Sequence, residues 1–180
     1  MSTKGNKPDE PEPHDGARTL IPLTDPLTSL GTLRLLEKDL AIYEGQVVRY
    51  GMRSCVALID IDDFKKFNER YGPEEGDRAV VAVAERLSNR TRLGDSIYRV
   101  GGDEFICLLP EQSLESGALA VDRMRQSIED LAIPHEDSPS GFLSVSAGLT
   151  VFDAEHLKAA DELVKDAQVA LTRAKDAETN

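Results

Sequence analysis

From residue 24 onward the apolar positions alternate between helical and strand-like spacing. Leu33, Leu36, Leu40, Tyr43 and Val47 recur at intervals of three and four, which predicts a helix with one apolar stripe. That stripe either packs on the domain or pairs with a second copy of itself. Gly51 is placed to end the helix, because glycine takes the left-handed C-terminal position without a Cβ clash. Cys55-Val56-Ala57-Leu58-Ile59-Asp60-Ile61-Asp62 is a near-continuous apolar run closing in acids, the pattern of a strand inside a sheet. Asp60 and Asp62 lie two apart and point to the same side. A helix is predicted over about 63–71, stopped by Gly72-Pro73, and another opens near Glu74 and carries Val80, Val83 and Leu87 inward.

Two short apolar runs then meet at Gly101-Gly102, which predicts a hairpin with both glycines at positive φ. A helix with Val121, Met124, Ile128 and Leu131 on one stripe follows, then an irregular connection over 132–141 and a strand over 142–151. The last helix buries Leu163, Ala167, Leu171 and Ala174. Helix-strand-helix-helix-strand-strand-helix-strand-helix predicts an α+β fold: an antiparallel-rich central sheet flanked by helices on one or both faces.

Composition narrows the class. A chain of 180 residues suits one domain, large enough to bury roughly 70% of its unfolded surface. Residues 1–23 are rich in Pro, Glu, Asp, Gly and Lys and predict a disordered tail, leaving 24–180 as the domain. No run approaches the ~18 apolar residues of a membrane span, and no signal-peptide core precedes the domain, so the expected location is cytoplasmic. Cys55 and Cys107 sit in apolar runs and read as buried thiols in a reducing compartment. His14, His135 and His156 lack metal-ligand spacing. A net charge of −12 argues against nucleic-acid binding, and admits a polyphosphate ligand only where metal ions and a local Lys/Arg cluster reverse the sign.

The candidate chemistry begins at Asp103 and Glu104, which follow the glycine pair. Adjacent carboxylates repel unless water or a cation separates them. They form either a solvated turn with two surface acids or a hard-cation site with a third oxygen donor. With the two strands in one sheet, Asp60 could stand beside them as that donor, and with a backbone carbonyl near Ile61 the set would be all oxygen, suited to Mg²⁺ or Mn²⁺. Such clusters commonly position two metals, about 3.5–4 Å apart, for in-line attack on phosphorus. Lys65, Lys66 and Arg70 follow the acidic strand end, and Lys175 lies near the C-terminus. Glu74, Glu75 and Asp77 suit the first turn of a helix by its dipole alone. The absence of GxxxxGK[ST] excludes a P-loop enzyme, and no serine or cysteine sits in a nucleophile elbow.

Gly101-Gly102-Asp103-Glu104-Phe105 resembles the signature of the GGDEF domain, the catalytic domain of diguanylate cyclases. Asp25-Pro26-Leu27-Thr28-Ser29-Leu30 resembles that family's DxLTxL opening. Asp60 through Asn68, with Gly72 and Gly76-Asp77, resembles its DIDxFKxxN…G…GD block. Ser144-Val145-Ser146-Ala147-Gly148 resembles its SxSxG strand, and Ala174-Lys175 its late AK.

The resemblance implies a palm-type, ferredoxin-like core. It implies condensation of two GTP to cyclic di-GMP with release of pyrophosphate, by a homodimer in which each subunit presents one metal-bound GTP. By carry-over, Asp60, the Ile61 carbonyl and Glu104 hold the metal, and Asp103 assists or accepts the proton of the attacking 3′-hydroxyl. Asn68 and Asp77 read guanine, while Phe64, Lys65, Lys175 and the Gly101-Gly102 turn embrace the nucleotide. Arg92-Leu93-Gly94-Asp95 matches the family's RxxD inhibitory site, where Arg92 and Asp95 would bind the cyclic di-GMP product. The alternative for that pair is a surface i, i+3 ion pair of little energetic value.

The chain also departs from the family. Thr32-Leu33 replaces Asn-Arg, Pro73 stands where histidine is common, and Thr172 replaces a tyrosine. Thr179 stands where a phosphate-binding arginine is expected, beside Glu178. Two functional expectations therefore stand: an active cyclase, or a catalytically weak GGDEF domain that serves as a cyclic di-GMP or GTP receptor.

Overall fold

The computed structural model describes residues 22–155 and 158–178. Residues 1–21 of the predicted tail, along with His14, His156 and Thr179, lie outside these residues. The elements run β1 (Gly31–Thr32), α1 (Leu33–Tyr50), β2 (Ser54–Ile61), α2 (Phe64–Tyr71), α3 (Pro73–Arg90), β3 (Ser96–Arg99), β4 (Glu104–Pro110), α4 (Leu114–Glu129), β5 (Val145–Phe152) and α5 (Ala160–Glu178). The sheet order is β1-β3-β4-β2-β5, with β1 parallel to β3 and every other pair antiparallel.

The near-continuous apolar run of β2 is explained by its place. Paired on both edges, it is covered on both faces, and its side chains alternate between two cores. Cys55, Ala57, Ile59 and Ile61 join Val80, Val83, Leu87, Met124 and Ile128 beneath α3 and α4. Val56 and Leu58 join Leu36, Leu40, Leu163, Ala167 and Leu171 beneath α1 and α5. Helices thus cover both faces. The stripe of α1 is spent on the domain rather than left for a second copy, although it starts at Leu36: Leu33, the first residue beyond edge strand β1, is exposed.

Local signals land as the residues dictate. Gly51 caps α1 at φ 63° and donates its N–H to the Val47 carbonyl at 2.9 Å. Gly72, at φ 87°, joins α2 directly to α3, with Pro73 as the first residue of α3, where its missing N–H costs nothing. β1 escapes sequence reading because two residues carry no periodicity. Gly31 lies opposite Tyr98, and a Cβ there would come 2.6 Å from the tyrosine ring. Pro22 and Leu23, placed in the tail by composition, offer their carbonyls to Thr32 Oγ1 and Thr32 N.

The hairpin differs from expectation. Its tip spans 100–103, and neither Gly101 nor Gly102 has a positive φ. Space explains the first glycine: a Cβ on Gly101 would sit 2.6 Å from Glu104 Oε2. The tip closes on one carbonyl, that of Glu104, which accepts from the Val100 and Gly101 amides at 3.0 and 3.4 Å. β5 begins at Val145, three residues later than expected, and Phe142 is exposed beyond a single bridge to Pro134.

Candidate active site

Strand register brings the first two acids together. Asp60, near the carboxyl end of β2, pairs with Glu104 at the start of β4, and directly opposed residues share a face. Asp103 adjoins them, and its carbonyl accepts the Ile61 amide at 3.2 Å. Burial first, then repulsion from neighbouring acids, raises Asp60, although Lys175 partly offsets this. Glu104 is raised by burial, then by Asp60 and Asp103. The three predicted carboxylates therefore lie in one electrostatic neighbourhood.

Of the cations expected there, Lys175 is the one drawn to the acids. Leu163, Ala167 and Leu171 are buried at four-residue steps along α5, and Lys175 is the next step on that stripe. Its Nζ donates to Asp60 Oδ1 and lies 3.8 Å from Asp62 Oδ1. Lys66 instead pairs with Asp63 at 2.8 Å, Arg70 with Glu136 and Asp137, and the highly exposed Lys65 with Glu69 at 3.8 Å. Asp62 is held from β5 and the residues before it: Ser144 Oγ and Ser146 Oγ each donate to one of its oxygens at 2.7 Å. A cavity of about 470 Å³ opens alongside, its lining including Asp62, Asp63, Ser144, Ser146 and Lys175.

On the other face of the sheet, α2 and α3 carry Phe64, Asn68 and Asp77. Asn68 Oδ1 is buried and has no hydrogen-bond partner among the described residues. Gly76 makes room for it, since a Cβ there would fall 1.8 Å from that oxygen. Asp77 is exposed and lines a shallow cavity of about 330 Å³ with Leu27, Arg78 and Val81. An occupant touching both Asn68 and Asp60 must therefore reach around the carboxyl end of β2.

Arg99, Ser144 and Ser146 are contributors that sequence reading did not assign. Arg99 donates to the Gly102 carbonyl (Nη2, 2.7 Å) and to Asp25 Oδ1 (Nη1, 3.1 Å), tying the hairpin tip to the 24–30 turn. Asp25 also accepts from the Thr28 amide and hydroxyl, and these bonds with Arg99 outweigh burial and lower its pKa. An arginine just before the glycine pair, and serines alternating two apart, were the available signals.

Arg92 and Asp95 occupy a separate place. Arg92 N and Nε donate to Asp95 at 3.0 and 3.1 Å, and its guanidinium reaches the Pro110 carbonyl. Pro110 ends β4, six residues from Glu104 and so about 20 Å away at ~3.3 Å per residue. Leu93, between them, is fully exposed. Cys55 and Cys107 are buried, which pushes their thiols up to about 11 and about 12 and leaves them unreactive.

The oxygen-only donors Asp60, Asp103, Glu104 and the Ile61 carbonyl match a hard divalent cation; burial raises Asp60 and Glu104 most, and the added repulsion from neighbouring acids is what such an ion relieves. Among the described residues no three acidic, His or Cys side chains are already gathered around one point; the ammonium of Lys175 stands at Asp60 instead.

This mixed five-stranded sheet flanked by helices, with acids at one end of adjacent central strands, is the palm-type nucleotidyl cyclase fold. Residues 23–180 match the family described as diguanylate cyclase, GGDEF domain, and the chain belongs to that family. It is 36% identical over 155 residues to the diguanylate cyclase DgcP of Pseudomonas aeruginosa, covering 86% of this chain and 23% of DgcP. With the diguanylate cyclase VdcA of Vibrio cholerae the identity is 30%, covering 86% of this chain and 44% of VdcA. The chain thus spans less than half the length of either relative. The solved structure of a microbial GGDEF domain with an interaction mode toward bis-(3′,5′)-cyclic di-GMP aligns with a TM-score of 0.70 at 29% identity, over 86% of this chain and 94% of that one. Among the described residues no helix is long and apolar enough to cross a membrane.

Proposed function

We propose that the protein is a diguanylate cyclase that joins two GTP molecules into cyclic di-GMP with release of two pyrophosphates. The observation that carries this reading is the register pairing of Asp60 with Glu104, with Asp103 beside them, at a sheet end bordered by a cavity and a lysine. Asp60, the Ile61 carbonyl, Asp103 and Glu104 would hold Mg²⁺ or Mn²⁺, which when bound neutralises phosphate charge. Asp103 takes the proton of the attacking 3′-hydroxyl as that oxygen bonds the α-phosphorus of the second GTP and the α–β bridging bond breaks. Phe64, Lys65, Lys175 and the Gly101-Gly102 turn position the triphosphate. Little covalent work falls to the protein; positioning and electrostatics carry the rate.

Asn68 and Asp77 select guanine, Asp77 by accepting from the ring and exocyclic N–H groups that adenine lacks in that arrangement. Each subunit of a homodimer holds one GTP, so attacker and target come from different chains and a monomer is inert. Product inhibition falls to Arg92 and Asp95, whose mutual bonds open for cyclic di-GMP. Their distance along β4 from Glu104 is consistent with a second site rather than blockage of the first.

The second reading is a GTP or cyclic di-GMP receptor without turnover. It is favoured by Lys175 standing on Asp60 and by Thr172 and Thr179 in place of the family's tyrosine and arginine. Incubation with GTP and Mg²⁺ at high protein concentration, followed by chromatography of the nucleotides, separates the two. Cyclic di-GMP lost on Glu104→Ala or Asp103→Ala supports the cyclase, and no cyclic di-GMP from the unaltered chain supports the receptor.

A further inference from the structure

Asp60 and Glu104 stand opposite each other where β2 pairs with β4, Asp62 and Asp103 lie close to them along the chain, and the ammonium of Lys175 reaches Asp60 from α5. The two acids that Lys175 faces are held differently. Asp62 is anchored by two serine hydroxyls, one on each oxygen, so its position does not depend on the lysine. Asp60, partly buried, receives the lysine directly. Lys175 lies 3.8 Å from Asp62, within a small side-chain rotation of a full ion pair with it. The helix cannot simply withdraw, because Leu163, Ala167 and Leu171 pin it and its backbone lies against Gly148.

We propose that Lys175 is a displaceable counter-ion: it fills the cation position on Asp60 in the substrate-free protein and moves to Asp62 when a divalent metal takes Asp60. This rests on the metal-site reading above and deepens it. An ammonium and a dication cannot share one carboxylate without strong repulsion at a few ångströms. A metal arriving alone must expel the lysine with little in return. A metal arriving with a triphosphate brings oxygens that the released ammonium can meet, so metal and nucleotide bind as a cooperative pair. Asp62, held by Ser144 and Ser146, keeps the lysine within reach of those oxygens.

The test is titration of the full chain with MnCl₂, reading free Mn²⁺ by electron paramagnetic resonance, with and without the non-reacting analogue guanosine 5′-(α,β-methylene)triphosphate. Lys175→Met is expected to bind Mn²⁺ alone roughly tenfold tighter than the unaltered chain and to lose most of the tightening that the analogue produces, by the Coulomb argument. Lys175→Gln is expected to do the same, and Lys175→Arg to restore the original cooperativity. Asp62→Asn is expected to weaken Mn²⁺ binding in the presence of lysine by a larger factor than in the Lys175→Met background. Equal or weaker Mn²⁺ binding by both neutral variants, each shown folded by circular dichroism, overturns the exchange while leaving the metal site standing. Equal effects of Asp62→Asn in both backgrounds remove Asp62 as the lysine's second position. No Mn²⁺ bound by the unaltered chain even with the analogue defeats the metal-site reading, and the exchange falls with it.

Discussion

Gly148 is where the fold and the candidate site meet, and replacing it with alanine puts that connection to a quantitative test. It lies in β5 opposite Leu58, beneath α5. An added Cβ would sit 2.1 Å from the Ala167 carbonyl oxygen, 2.2 Å from the Leu171 amide nitrogen and 2.8 Å from the Leu171 Cα. All three are backbone atoms, so no side-chain rotation relieves the overlap. Moving the nearest contact from 2.1 Å to the 3.4 Å of ordinary packing shifts α5 by about 1.3 Å. That shift would loosen Leu163, Ala167 and Leu171, all at 1% exposure or less. A close-packed interior resists such a shift, and overpacking of this severity costs about 3 kcal/mol. For a domain of this length the melting temperature should then fall by roughly 6–12 °C. Gly45→Ala is the control: Gly45 lies on the exposed face of α1 with nothing within 4 Å, so alanine there should stabilise by about 0.5–1 kcal/mol. Calorimetric melts of both variants decide the matter. A Gly148→Ala protein melting with the unaltered chain would refute the claim that the backbone of α5 rests on that strand.

The other predictions concern the site. Gly76→Ala drives a methyl into Asn68 Oδ1, the end of a side chain that can turn away, so the melt should barely change while affinity for a fluorescent GTP analogue falls about tenfold; unchanged affinity would remove Asn68 from the guanine contacts. Asp60 and Glu104 are raised from ordinary values of 3.8 and 4.5, so the native state holds protons that the unfolded chain has already released. Their contribution to stability is therefore complete below those ordinary values and is lost as pH climbs through the raised ones. Mg²⁺ should accordingly raise the melting temperature more at pH 7.5 than at pH 5, and an equal rise at both would count against these carboxylates as its ligands. Arg92→Ala removes the guanidinium that donates to Asp95 and the Pro110 carbonyl, leaving the backbone bond to Asp95, and should weaken cyclic di-GMP binding by at least tenfold in isothermal calorimetry, with unchanged affinity discarding the second site.

Much of this was legible along the chain. The helical spacing of Leu36, Leu40 and Val47, the unbroken apolar run of β2 and the αL glycine at 51 each express a local rule, so the order of the longer elements followed, while whether helices cover one face of the sheet or both did not. Asp60, Asp103 and Glu104 were legible as a group because each is an acid at the end of an apolar strand. Tertiary structure decided what depends on distances between remote segments. It showed that Gly101 is needed for the space Glu104 occupies and not for its torsion, and that Arg99 ties the hairpin to Asp25 across 74 positions. It sent Lys66 and Arg70 to acids other than the central cluster, and it brought Lys175 to Asp60 across 115 positions. Periodicity reports which way a side chain faces from its own backbone; which partner it meets there is set by how α5 lies on β5, and that is a property of packing alone.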